Sequence, residues 1–118
     1  MLVVNRFRVP DGTPEAAQLR ADLTAAHEVL AAQRGYVEGH LGRNVDDPDL
    51  WVLATRWEHV GAYRRALSTY DAKLTAVPVL GRALDEPSAY EIVTPGAELN
   101  RAEPRDATTA AETVRRRR

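Results

Sequence analysis

A change of hydrophobic period at residues 50–67 constrains this chain more than any other feature. Residues 50–57 are rich in β-branched and aromatic types and follow Pro48-Asp49, which reads as a strand. From Val60 the apolar positions Val60, Tyr63 and Leu67 fall at helix spacing, so a helix is expected from about His59 to Leu67. Trp57 closes the strand and Tyr63 sits one turn into the helix. A strand-to-helix corner with a large aromatic on each side either walls a pocket or fills the core, and the rest of the chain has to decide between them.

Upstream, residues 2–9 alternate, with Val3, Asn5, Phe7 and Val9 on one face and Leu2, Val4, Arg6 and Arg8 on the other; this is a first strand. Asn5 is the polar member of the more apolar face, either a buried hydrogen-bonded amide or a donor and acceptor lining a pocket. Pro10-Asp11-Gly12 is a turn. Thr13 then caps a helix with Pro14 at its first position, where a missing N–H costs nothing. Ala16, Leu19, Leu23, Ala26 and Leu30 make its apolar stripe, with His27 on the flank as a boundary residue or a base. Gly35 is expected to end the helix as a left-handed cap.

Residues 36–45 read as a second strand, Val37, Gly39, Leu41 and Arg43 on one face and Tyr36, Glu38, His40 and Gly42 on the other. Gly39 and Gly42 weaken a strand unless a bulge or a close neighbour requires them. An acidic hairpin turn, Val45-Asp46-Asp47-Pro48-Asp49, leads into the third strand. After the helix, Ser68 and Asp71 have capping-box spacing. The helix they predict carries Tyr70, Leu74 and Val77 on one stripe and ends at Val77-Pro78. A short turn over 80–84 and a fourth strand over 88–94 complete the pattern.

Residues 95–118 differ. Leu99 and Val114 are their only large aliphatic residues, and four arginines close the chain. Such a segment buries too little to offset its ordering entropy, so a folded domain over 1–94 with a disordered Arg-ending tail over 95–118 is expected. The 118 residues carry a formal net charge of −1 and no cysteine. That argues against a nucleic-acid-binding domain, a disulfide framework or a thiolate metal site. No apolar run approaches the roughly 20 residues of a membrane helix, and no signal-peptide pattern is visible. The expectation is a cytoplasmic protein without membrane or nucleic-acid partners.

The order strand, helix, strand, strand, helix, strand predicts an α+β, ferredoxin-like βαββαβ fold. Its four-stranded antiparallel sheet would carry helices on one face. The other face, with Leu2 and Val4, would be a sizeable apolar patch in water. Two sheets packed face to face would bury it, so a two-fold homodimer is expected.

Three pieces carry a family resemblance: Val4-Asn5-Arg6-Phe7, Arg34-Gly35-Tyr36-Val37, and Arg56-Trp57-Glu58-His59-Val60-Gly61-Ala62-Tyr63. On these the chain resembles the antibiotic biosynthesis monooxygenase (ABM) family, whose members are dimeric α+β barrels. The resemblance spans about four-fifths of the chain and omits the tail. It implies two branches to compare. Quinol-oxidising members carry a Trp at the end of the third strand and a Tyr six residues later, positions filled by Trp57 and Tyr63. Their Asn four residues before the Trp falls on Leu53, and a later Arg falls on Val77; both are departures. Haem-degrading members carry an Asn in the first strand, matched by Asn5, but their Trp and His fall on Ala66 and Ala76. Without the His no axial ligand is evident.

The resemblance thus implies cofactor-independent oxygenation of a small aromatic phenol or quinol with O₂. That chemistry needs deprotonation of the substrate, donors for its oxyanion and a dry cavity. Neither a metal-ligand set nor a dinucleotide motif is present, and no cofactor is expected. The candidate catalytic residues are Trp57, Tyr63 and Asn5, with Phe7, Leu53, His27 and Tyr70 contacting substrate and Tyr63, His27 or His40 moving the proton. The alternatives are a non-catalytic ligand-binding dimer, in which Trp57 and Tyr63 are ordinary packing, and a haem-binding or haem-degrading relative.

Overall fold

The computed structural model describes residues 1–100. Of the tail expected over 95–118, residues 101–118, including the four terminal arginines, lie outside the described residues.

The elements run β1 (Leu2–Arg8), α1 (Pro14–Ala31), β2 (Tyr36–Arg43), β3 (Leu50–Trp57), α2 (Val60–Leu67), a π-helical segment (Ala72–Ala76), α3 (Val77–Leu80) and β4 (Ala89–Tyr90). The strands form one antiparallel sheet in the order β2-β3-β1-β4. This is the ferredoxin-like α+β fold expected from the sequence, with the helices gathered on one face.

Local chemistry explains why these segments form. The Thr13 hydroxyl accepts from the backbone N–H of Ala16 at 3.2 Å, and Pro14 opens α1. The stripe Ala16, Leu19, Leu23, Ala26 and Leu30 is buried as its spacing predicts; each fully buried leucine stabilises by about 1.5–3 kcal/mol. In β3, burial alternates strictly, with Trp51, Leu53, Thr55 and Trp57 inside. In β1 Val3 and Phe7 are inside, and register pairs Phe7 with Trp51 and Asn5 with Leu53. Between β2 and β3 the Asn44 side chain accepts from the N–H groups of Asp46 and Asp47, an Asx-type turn. Gly35 has φ +92°, and a Cβ there would collide with Ala62. The turn after α1 therefore packs directly on α2.

Three expectations are corrected. In β2 the register to β3 slips between Tyr36 and Glu38. Val37 is an extra residue, a β-bulge, and it moves Tyr36 onto the inner face with Gly39, Leu41 and Arg43. In the second helical layer, Ser68 is the C-cap of α2 rather than the cap of the next helix. The Thr69 hydroxyl instead accepts from the N–H of Ala72. The π turn over Ala72–Ala76 shifts the phase of this helix, so Ala72, Ala76 and Val79 are buried while Tyr70, Leu74 and Val77 face outward. The helix also runs through Val77-Pro78 to Leu80, because a proline at the start of a new helical register loses no hydrogen bond. Finally, β4 spans two residues, pairing Ala89 with Val3 and Tyr90 with Leu2, and not the seven of 88–94.

The sheet's outer face carries Val4, Leu50, Val52 and Ala54 as half-buried side chains. Ion pairs Arg6–Glu86, Arg8–Asp47 and Arg56–Glu38 surround them.

Candidate functional site

The corner between β3 and α2 places Trp57 and Tyr63 together. The His59 side chain caps α2, its Nδ1 accepting from the N–H of Ala62 at 3.2 Å. That cap sets the helix so that Tyr63, one turn in, meets the end of β3. The rings of Trp57 and Tyr63 lie 5.3 Å apart between centroids, tilted by 58°. On its other side Trp57 meets Tyr36 edge-on, 5.5 Å away at 88°, a favoured aromatic geometry. The Trp57 indole N–H donates to the Thr55 hydroxyl at 2.8 Å, and Trp57 is 1% exposed. The Tyr36 hydroxyl is 2.8 Å from His27 Nε2. A row of five side chains, His27, Tyr36, Trp57, Tyr63 and Asn5, therefore crosses the inner face of the sheet.

Gly39 makes room for this row. A Cβ there would stand 2.7 Å from the Tyr36 hydroxyl, 2.8 Å from Thr55 Cγ2 and 2.9 Å from the Ala54 carbonyl oxygen. Both conditions under which a strand tolerates glycine, a bulge and a close neighbour, are met here.

Burial pushes the Tyr63 phenol up from its ordinary value, and the Asn5 amide beside it opposes that shift. Tyr63 is thus held protonated, as a donor. Burial also raises the Tyr36 phenol, with a smaller push from Glu38. His27 is shifted down, first by burial and then by the charge of His40, against Glu28. At neutral pH it is an uncharged imidazole able to accept a proton.

The expected residues are distributed as follows. Trp57, Tyr63, Asn5 and His27 belong to the row. Phe7 and Leu53 are buried core residues of the same inner face. Tyr70 is 77% exposed on the far side of its helix and is not brought to the row. His40 pairs with Ala54 on the outer face. Sequence reasoning missed Tyr36 and Thr55. Gly39 was the available signal for Tyr36, since a strand glycine three residues from a tyrosine marks space for its ring. The expected pocket between sheet and helices is filled around Trp57 by these aromatics. A solvent-open cleft of about 600 Å³ lies at the opposite end of β3, against Trp51, Arg43 and Arg20.

Among the described residues no helix is long and apolar enough to cross a membrane. No cluster of three or more metal-binding side chains occurs among them either.

The profile described as antibiotic biosynthesis monooxygenase matches residues 1–76, and the chain belongs to that family. Among solved structures it is similar to SnoaB, a cofactor-independent oxygenase from Streptomyces nogalater. Identity is 26% and TM-score 0.62, covering 81% of this chain and 96% of that one. Rv0793 from Mycobacterium tuberculosis is similar at 25% identity and TM-score 0.58, covering 86% and 97%. A conserved protein from Methanosarcina mazei Go1 shares the fold at 18% identity and TM-score 0.58, covering 75% and 84%. No curated protein matches the sequence.

Proposed function

We propose that this protein is a cofactor-independent monooxygenase that oxidises a small planar phenol or quinol with O₂, working as a homodimer. The observation that carries the reading is the Trp57–Tyr63 pair at the β3–α2 corner, with Asn5 beside the tyrosine. It occurs in a chain of the monooxygenase family that is similar to a cofactor-independent oxygenase. Tyr63 and Asn5 hold the substrate oxygen, and the aromatic faces hold its ring. Loss of the phenolic proton gives an electron-rich anion that reduces O₂ directly. One oxygen atom then enters the ring and the other leaves as water with two hydrogens from the substrate, which supplies all four electrons and leaves as a quinone. The phenolic proton is moved by Tyr63 or by His27, which stands at the other end of the row on the Tyr36 hydroxyl, and burial of the site limits water and side reactions.

The homodimer is supported by the apolar outer sheet face and by the outward stripe Tyr70, Leu74 and Val77. Sedimentation showing a stable monomer at micromolar concentration would reject it.

A second reading is favoured by one observation: Trp57 is 1% exposed and its N–H is already satisfied by Thr55. On that reading the corner is packing, and the protein is a ligand-binding dimer without catalysis. The haem alternative has less support, because Ala66 and Ala76 are buried alanines packed in the core. A panel of hydroxylated polycyclic aromatics, assayed for O₂ uptake with wild type, Trp57→Phe and Tyr63→Phe, decides the matter. Turnover that falls in both variants is the expected result. Turnover unchanged in both would put the site elsewhere, and binding without turnover would leave the second reading.

A further inference from the structure

Tyr36 and Tyr63 flank Trp57 at nearly equal distance, 5.5 and 5.3 Å between ring centroids, yet they differ in what can take their proton. Tyr63 has the Asn5 amide beside it, and an amide accepts a hydrogen bond but not a proton at neutral pH. Tyr36 has the imidazole of His27 at 2.8 Å, which accepts a proton readily. The indole N–H of Trp57 points at the Thr55 hydroxyl, also too weak a base. A tyrosine gives up an electron easily only when its proton can leave at the same time. The two neighbours of Trp57 are therefore unequal as electron donors, and the better one is on the side that leads to half-buried His27.

We infer that Trp57, Tyr36 and His27 form a hole-transfer chain that collects an oxidising equivalent from the site on Tyr36 and delivers it toward the surface. The step balances as follows. A one-electron oxidant removes an electron from Trp57. Tyr36 then passes an electron to the oxidised indole and its O–H proton to His27 Nε2, which restores Trp57 and leaves a neutral tyrosyl radical beside an imidazolium. A small one-electron reductant such as ascorbate returns the electron to Tyr36 from outside, and the proton comes back from His27. In O₂ chemistry on phenols the oxidant is a substrate-derived radical that escapes its partner. The inference rests on the oxygenation reading only for that source. The backbone bulge at Val37 and the missing Cβ at Gly39 are what allow Tyr36 to lie between Trp57 and His27.

The chain requires His27 to be uncharged. The charged and titratable groups acting on the pair are His40 and Glu28 at His27 and Glu38 at Tyr36. Acidification that protonates His27 removes the acceptor, so transfer to Tyr36 fails below the His27 pKa.

An ultraviolet laser flash that photoionises tryptophan tests this without any substrate, so its outcome is separate from that of the oxygenation assay. In full-length Trp51→Phe, where Trp57 is the remaining tryptophan, the indole-radical absorbance should decay as the tyrosyl band rises. Should Trp51→Phe not fold, the difference between wild type and Trp57→Phe reports the same transfer. Tyr36→Phe should abolish most of the conversion. His27→Gln keeps a hydrogen-bond acceptor but no base, and should slow it by about 10²-fold, the low end for a positioned base, and remove its pH dependence. A merely structural Tyr36–His27 contact would leave the rate and its pH dependence unchanged in His27→Gln, and would overturn the inference. So would conversion that persists in Tyr36→Phe but vanishes in Tyr63→Phe.

Discussion

Replacing Gly39 by alanine adds one methyl group at the most crowded point of the sheet's inner face. It would stand 2.7 Å from the Tyr36 hydroxyl, 2.8 Å from Thr55 Cγ2 and 2.9 Å from the Ala54 carbonyl oxygen, all well inside van der Waals contact. Tyr36 can swing away, at the loss of its hydrogen bond to His27. The Ala54 oxygen belongs to the backbone of β3 and cannot move without disturbing the β2–β3 ladder. Overpacking of this kind costs about 1–3 kcal/mol. The lost hydrogen bond adds about 0.5–1.5 kcal/mol. A total near 3 kcal/mol, the middle of the summed ranges, predicts a fall in melting temperature of about 12–24 °C, at the 4–8 °C per kcal/mol of a small domain. Gly42→Ala is the control, since its Cβ would meet only Val52 Cγ1, at an ordinary 3.5 Å. Thermal unfolding followed by circular dichroism compares the two. In the double variant Gly39→Ala/Tyr36→Phe, losing the hydroxyl relieves one of three clashes and should recover only part of the loss. Equal melting temperatures for Gly39→Ala and Gly42→Ala would refute the reasoning and show that the bulged end of β2 is soft.

Two further outcomes are expected. His59→Ala removes the side-chain acceptor from the start of α2 and should cost about 1 kcal/mol, within the range for a lost N-cap, read from urea unfolding; no change would mean that the Gly35–Ala62 contact sets the helix unaided. His27 binds its proton less tightly folded than unfolded, so between its lowered folded pKa and the unfolded value of about 6.5 the unfolded chain holds more protons. Stability should therefore fall as pH drops through that window, and the slope should flatten in His27→Gln; an unaltered slope would refute this, since Asp47, Asp22 and Glu86, whose carboxyls the arginines hold low, add their own acid sensitivity only at lower pH.

The large aliphatic and aromatic residues made much of the fold readable. The period of Leu19, Leu23 and Leu30 located α1 and its buried stripe, and the alternation from Trp51 to Trp57 located β3 with its inner face correct. Thr13-Pro14 marked the start of α1 because capping is a local interaction. What was illegible depends on single-residue shifts of register. A bulge at Val37 exchanges the faces of Tyr36 and its neighbours, and nothing at Val37 itself announces it. The π turn rotates the helix after Thr69, and its buried side is made of Ala72 and Ala76, which give almost no hydrophobic signal beside Tyr70, Leu74 and Val77. For the site, the Trp57–Tyr63 pair was legible from the strand–helix corner. Its partner Tyr36 was not, because its place depends on that bulge.

Six of the buried residues on the helical side of the core are alanines, Ala16, Ala26, Ala62, Ala66, Ala72 and Ala76, interleaved with Leu19, Leu23, Leu30 and Val79. An alanine has no side-chain torsion to freeze, so these six positions add essentially nothing to the side-chain entropy lost on folding. The torsions that are restricted near the corner belong mainly to Trp57, Tyr36, Tyr63 and His27. A molecule entering between sheet and helices finds no loose side chain at these alanines to reorder. Whatever entropy is lost or released on its arrival is concentrated in the aromatic row, and heat-capacity and order-parameter changes on binding are to be sought there.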